Sequence, residues 1–211
     1  MNTMMKELLE RYPMLECCCF EIERVAEQML KTYRAGGKIM VCGNGGSCAD
    51  SDHIVGELMK GFLQPRSIKG EKREALCKAL GEEGNEIVSK LQGGIPTISL
   101  PAQAAVLSAF ANDVDASLVY AQLVYGYARQ GDLLIGLSTS GNSKNVVLAA
   151  KVAKALGIST VALTGKHESN LSKICDFTVR VPETETFKVQ ELHLPIYHYL
   201  CAYVENEVFN A

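Results

Sequence analysis

Apolar positions along the chain follow two rhythms. Five short runs are rich in apolar and β-branched residues: 38–42 (KIMVC), 96–100 (PTISL), 133–138 (LLIGLS), 159–164 and 177–181. Such runs read as strands buried on both faces. Between them the spacing turns helical. Residues 4–11 predict a short helix stopped before Pro13. Over 15–34 a stripe of Phe20, Ile22, Val25, Met29 and Leu30 predicts a second helix, ended by Gly36 and Gly37. Further helices are expected over about 48–62, 102–109, 116–129, 143–156 and 186–209, with a short one near Leu171. Residues 64–94 are the polar stretch, where Ala75, Leu76, Ala79 and Leu80 recur at helical spacing. Strands alternating with helices predict an α/β fold: a doubly wound, flavodoxin-like, mostly parallel five-stranded sheet with helices on both faces.

Length and composition narrow this picture. The 211 residues fit a single domain with a helical N-terminal extension over about 1–36 and a charged insertion over about 64–94. A net charge of −3 gives no broad basic field, so neither nucleic acid nor an anionic membrane is an expected partner. Eight cysteines include the run Cys17, Cys18 and Cys19, but no C-x-x-C pair. They read as reduced, mostly buried small hydrophobes, with a zinc–thiolate site as the sharper alternative. The first residues lack a signal pattern, and no apolar run reaches membrane-spanning length. The expected location is cytoplasmic.

In doubly wound sheets, ligands bind beyond the carboxyl ends of the strands. Two loops there carry candidate chemistry. After 133–138 come Ser138, Thr139, Ser140, Gly141, Asn142 and Ser143. Four hydroxyls, a close-approach glycine and the free N–H groups of the next helix suit a phosphate without any Lys or Arg. The plainer alternative is a Ser-rich turn with Ser143 as N-cap. After 38–42 come Gly43, Asn44, Gly45, Gly46 and Ser47, which match neither dinucleotide nor P-loop spacing. Asn44 would meet ligand hydroxyls, or the segment is only a tight turn. A second cluster lies on helices. His53 and Glu57 share one helical face, as do Gln190 and His198 eight residues apart. Imidazole and carboxylate suit a divalent metal or proton transfer. Spacing leaves His193 and Glu191 as rivals to His198 and Glu57, and a surface pair plus a core histidine as the unremarkable alternative.

Several ordered segments resemble the sugar isomerase (SIS) domain, and within it the phosphoheptose isomerase family. They are residues 41–58 (VCGNGGSCADSDHIVGEL), 110–115 (FANDVD), 136–147 (GLSTSGNSKNVV), 161–165 (VALTG), and VQELH with the later His198. The resemblance implies that Asn44, Gly45, Gly46, Asn112 and Asp113 touch the sugar. It implies that Ser138, Thr139, Ser140 and Ser143 hold its phosphate, and that Glu57 and Gln190 also contact substrate. His53, Glu57, Gln190 and His198 match the family's zinc ligands, and Glu57 with His198 its acid–base pair. A homotetramer with active sites shared between subunits is implied, as is isomerisation of sedoheptulose 7-phosphate to a heptose 7-phosphate. Another ketose phosphate, or a non-catalytic sugar-phosphate-binding or adaptor role on the same fold, are the alternatives. Residues 64–94 depart from the family's shorter connection and are expected to form a lid, a changed pocket or an altered subunit contact.

Overall fold

The computed structural model describes residues 2–210 and consists of a five-stranded parallel sheet between two helical layers. The strands are β1 (Ile39–Cys42), β2 (Thr97–Ser99), β3 (Leu133–Leu137), β4 (Ser159–Thr164) and β5 (Phe177–Arg180). Their spatial order is β2-β1-β3-β4-β5, and all four pairings are parallel. From β1 the chain first crosses outward to β2. It then returns to the other side of β1 and winds away through β3, β4 and β5. The winding reverses between β1 and β3, so the loops leaving these two strands flank the switch point.

Strand residues divide by parity between two cores. Ile39, Val41, Leu133, Ile135, Leu137, Val161 and Leu163 face one helical layer. It is built from α1 (Thr3–Arg11), α2 (Cys19–Arg34), α3 (Gly46–Met59) and α10 (Thr186–Phe209). Met40, Cys42, Leu134 and Ala162 face the other. There lie α6 (Ala104–Phe110), α7 (Val119–Tyr127), α8 (Lys144–Ala155) and α9 (Asn170–Ile174). The period-two side-chain alternation thus serves two apolar faces, so the adjacent strands β1 and β3 carry no polar side chain, while hydroxyls and one charge fall on β2, β4 and β5.

Three expectations are corrected here. The stretch over 15–34 is not one helix: Pro13–Cys18 forms a 3₁₀ turn, and α2 starts at Cys19. Proline at the first position suits a helical start, and Phe20 falls outside the buried stripe, 66% exposed with the Arg24 guanidinium over its ring. The cysteines are all free, yet only Cys18, Cys42 and Cys201 are buried; Cys17 is exposed. Residues 64–94 hold two short helices, α4 (Gly70–Leu80) and α5 (Gly84–Lys90), where one was expected. The Ala75–Leu80 stripe buries nothing, because α4 and α5 pack mainly on each other.

Candidate active site

The first loop, between β1 and α3, turns on Gly45, whose φ of +56° favours glycine. Gly46 then lets the helix start lie against Gln190 of α10: a Cβ there would sit 2.6 Å from the Gln190 Nε2. In the second loop Gly141 has φ +66°, and an added Cβ would collide with the Ser169 side chain. Ser138 and Ser143 join hydroxyl to hydroxyl at 2.9 Å, and the Ser143 N–H points to Ser138 Oγ at 3.4 Å. Ser143 occupies the N-cap of α8, but its hydroxyl makes no cap bond to that helix. The hydroxyls therefore stay grouped at a helix N-terminus, as an anion site requires. Ser140 accepts from the Asn142 N–H at 3.2 Å. Thr139 is tied down through its carbonyl, which accepts from the Gly165 N–H at 3.0 Å.

The two loops are fastened together by a residue that sequence reasoning passed over. Asn44 and Asn145 exchange reciprocal amide bonds, both 2.9 Å. Asn145 Oδ1 also accepts from the Val146 N–H at 3.0 Å. Tyr120 donates to the Gly43 carbonyl at 2.8 Å and its hydroxyl lies 3.3 Å from Asn44 Oδ1. The S–K–N continuation of the loop offered only a weak signal for this, since a cross-loop partner has no sequence period.

Two turns along α3 from Gly46 lies the polar cluster. His53 Nε2 is 3.1 Å from Glu57 Oε1. The His198 ring meets the His53 ring nearly perpendicularly, with centroids 5.1 Å apart. Glu57 and His198, remote in sequence, are thus joined through His53 within one chain. Tyr197 links the cluster to Asp50: its hydroxyl is 3.0 Å from His53 Nδ1 and 3.1 Å from Asp50 Oδ1. An ionised Asp50 only accepts, so the Tyr197 hydroxyl donates to it and accepts from His53 Nδ1–H. That tautomer leaves the His53 Nε2 lone pair facing a carboxylate oxygen, and two acceptors at this separation need a proton or a cation between them. Burial lowers the His198 pKa, with the neighbouring His53 adding to the effect. Neutral His198 presents a buried Nε2 that has no hydrogen-bond partner. A cleft of about 380 Å³, lined by Arg11, Phe62 and Pro195 among others, opens beside His198.

Other sequence candidates lie elsewhere. Gln190 is eight residues from His198 on α10, roughly 12 Å along the axis, and sits against Gly46 at the β1–α3 loop. None of the described hydrogen bonds links the Gln190 side chain to His53, Glu57 or His198. Asn112 and Asp113 bond each other at 2.9 Å on an exposed π-helical turn. His193, left open by spacing, is fully buried under Thr164. Among the described residues, no three His, Cys, Asp or Glu side chains stand ready-made as a metal cage.

A parallel sheet with anion-suited and amide-rich loops at its switch point, and a His/Glu cluster farther along the helix that leaves one of them, defines a sugar isomerase domain. Residues 107–202 match the SIS domain family. Sequence relatives and solved structures narrow the class. The phosphoheptose isomerase of Akkermansia muciniphila is 34% identical over 202 residues, covering 96% of this chain and 93% of that relative. That of Clostridium acetobutylicum is 36% identical over 189 residues, covering 90% and 83%. The structure is similar to the phosphoheptose isomerase of Neisseria gonorrhoeae, with TM-score 0.74 and 27% identity over 95% of this chain and 94% of that one. The Francisella tularensis phosphoheptose isomerase gives TM-score 0.76 and 25% identity over 93% and 91%. The chain belongs to the phosphoheptose isomerase family.

Proposed function

We propose that the protein interconverts an aldose and a ketose phosphate, with sedoheptulose 7-phosphate and the matching heptose 7-phosphate as the substrate pair. The observation that carries this reading is the approach of Glu57 and His198 around His53, on the helix that leaves the β1 loop, together with a hydroxyl-lined helix terminus on the β3 loop tied to it through Asn44 and Asn145. Ser138, Thr139, Ser140 and Ser143 hold the phosphate. Asn44, Gly45, Gly46 and Gln190 face the sugar, and Asn112 and Asp113 contribute where subunits meet.

Isomerisation moves one carbon-bound proton between C1 and C2. Glu57 is the base that takes it, passing through an enediol. Neutral His198 exchanges the oxygen-bound proton. His53 orients Glu57 and is itself oriented by Tyr197 and Asp50. His53, Glu57 and His198 carry donor types that suit a divalent ion, zinc by preference, and would have to close around it, since no three of the described side chains form a ready-made cage. Such an ion, when bound, polarises the carbonyl and steadies negative charge on oxygen. Gln190 would complete the set, in a homotetramer with shared sites. Placement in the cytoplasm, where phosphorylated sugars are made and consumed, completes the proposal. Among the described residues, no helix is long and apolar enough to cross a membrane.

The deciding experiment is Glu57→Gln assayed on sedoheptulose 7-phosphate. Turnover should fall about 10²–10⁴-fold while sugar-phosphate binding, read by calorimetry, persists. Undiminished turnover refutes Glu57 as the base. A panel of five- to seven-carbon ketose phosphates, run with and without chelator, tests the substrate and the ion.

A further inference from the structure

A buried ion pair behind the cluster has no part in the chemistry described so far. The Arg66 side chain is 0% exposed and that of Glu205 1%. Charges this deeply buried are costly unless every polar atom is engaged. Here the guanidinium makes three bonds in three directions. Nε donates to Glu205 Oε1 at 2.7 Å, one terminal nitrogen to the Leu58 carbonyl at 2.6 Å, and the other to the Glu57 carbonyl at 2.9 Å. Its face lies over the Phe209 ring, 4.9 Å from the centroid. Glu205 is equally occupied, accepting from the Phe62 and Leu63 N–H groups, both at 2.7 Å.

The carbonyls that Arg66 takes belong to the last turn of α3, where helix carbonyls lack intrahelical partners. One of them is the carbonyl of Glu57 itself. Glu205 stands seven residues after His198 on α10, two turns along the same face. One ion pair therefore fixes the turn that carries the base to the helix that carries the imidazole. A fold needing only a filled core would not require a three-way fork here, since apolar side chains of the same volume serve stability as well. We infer that Arg66 and Glu205 are positioning residues, which hold the Glu57 carboxylate at its working distance from His53 and His198. The inference rests on the proposed function, in which those two groups move the protons.

The test compares three purified proteins in the isomerase assay: wild type, Arg66→Met/Glu205→Leu, and Arg66→Lys. The double variant removes both charges, so neither is left unpaired in the core. The lysine variant keeps the pair with Glu205 but cannot reach both carbonyls, which matters if the double variant does not fold. A misplacement near 1 Å costs roughly 10²-fold in rate. Melts should show folded proteins, with kcat reduced about 10–100-fold and KM for the sugar phosphate within threefold of wild type. The lysine variant should fall between, a partial rescue that bulk packing would not produce. An undiminished kcat in a folded double variant, or in the lysine variant, overturns the inference while leaving the isomerase reading intact. A wild-type protein that isomerises none of the sugar phosphates overturns both.

Discussion

His193 and His198 lie five residues apart on one helix and have opposite environments. His198 borders a cleft and touches a second imidazole. His193 is sealed in the core, with Nε2–H reaching the Thr164 carbonyl at 3.4 Å and Nδ1 unpartnered. Burial pushes its pKa down from 6.5 to about 4. The native state therefore refuses a proton that the unfolded chain accepts. Stability from this group is complete above pH 6.5 and is lost as pH falls from 6.5 toward 4. The loss amounts to on the order of 3 kcal/mol by pH 4. Urea unfolding of His193→Leu across that range should show a shallower acid slope than wild type. Parallel slopes would mean that His193 is not the group responsible. Sequence spacing could not separate the two histidines, because both fall on apolar stretches of the same helix. The family resemblance chose His198, and the contact with His53 gives that choice a physical basis. Asp50 and Tyr197 escaped notice because their roles depend on angles between two helices, which periodicity does not encode.

Among the elements, the strands were read from sequence to within about a residue or two, since β-branched and aliphatic residues dominate them. The terminal helix was read at its full extent for a related reason: twelve of its 24 residues are buried, including Pro195. Loops were legible in kind but not in wiring. Gly, Ser and Asn after β1 and β3 predicted a turn into a helix at both places, yet nothing in either run showed that they are bolted together. The Asn44–Asn145 amide pair supplies that link. Asn145→Ala deletes both inter-loop bonds and leaves Tyr120 on Gly43. Removing two such bonds near the surface should cost about 1–3 kcal/mol of loop order. The loops that should suffer are the ones facing substrate. KM for the sugar phosphate should therefore rise about 10-fold or more, with kcat changed less. An unchanged KM would show that the loops hold their places independently.

For the whole molecule, the question is what the α4–α5 arm adds to a fold whose His53–Glu57–His198 cluster draws no residue from it. The arm was expected to be a lid, a changed pocket or a new subunit contact. Over residues 68–91 it buries only Gly84 and Val88, and α4 buries nothing. Its base is secured by Arg66, whose carbonyl accepts from the Gly93 N–H at 2.7 Å, and by an antiparallel bridge between Ser67 and Gln92. Gln92 Oε1 further accepts from the Gly61 N–H at 2.6 Å. Every anchor lies outside 68–91, so the stem survives if the tip is removed. Ser67 and Gln92 are the non-hydrogen-bonded pair of the bridge, since the Gly93 N–H bonds outside it to Arg66, so a two-residue turn belongs between residues 68 and 91, with Asn-Gly the favoured filling. Replacing residues 69–90 by Asn-Gly should thus shorten the chain without disturbing the Arg66–Glu205 pair. Helical ellipticity should drop by the two small helices, while Tm moves by less than about 4 °C, corresponding to roughly 1 kcal/mol in a chain of this size. Isomerase turnover should persist, because no described contact joins the arm's tip to Glu57, His53 or His198. Lost turnover in a folded, tip-deleted protein would instead make the arm a working lid that closes over substrate.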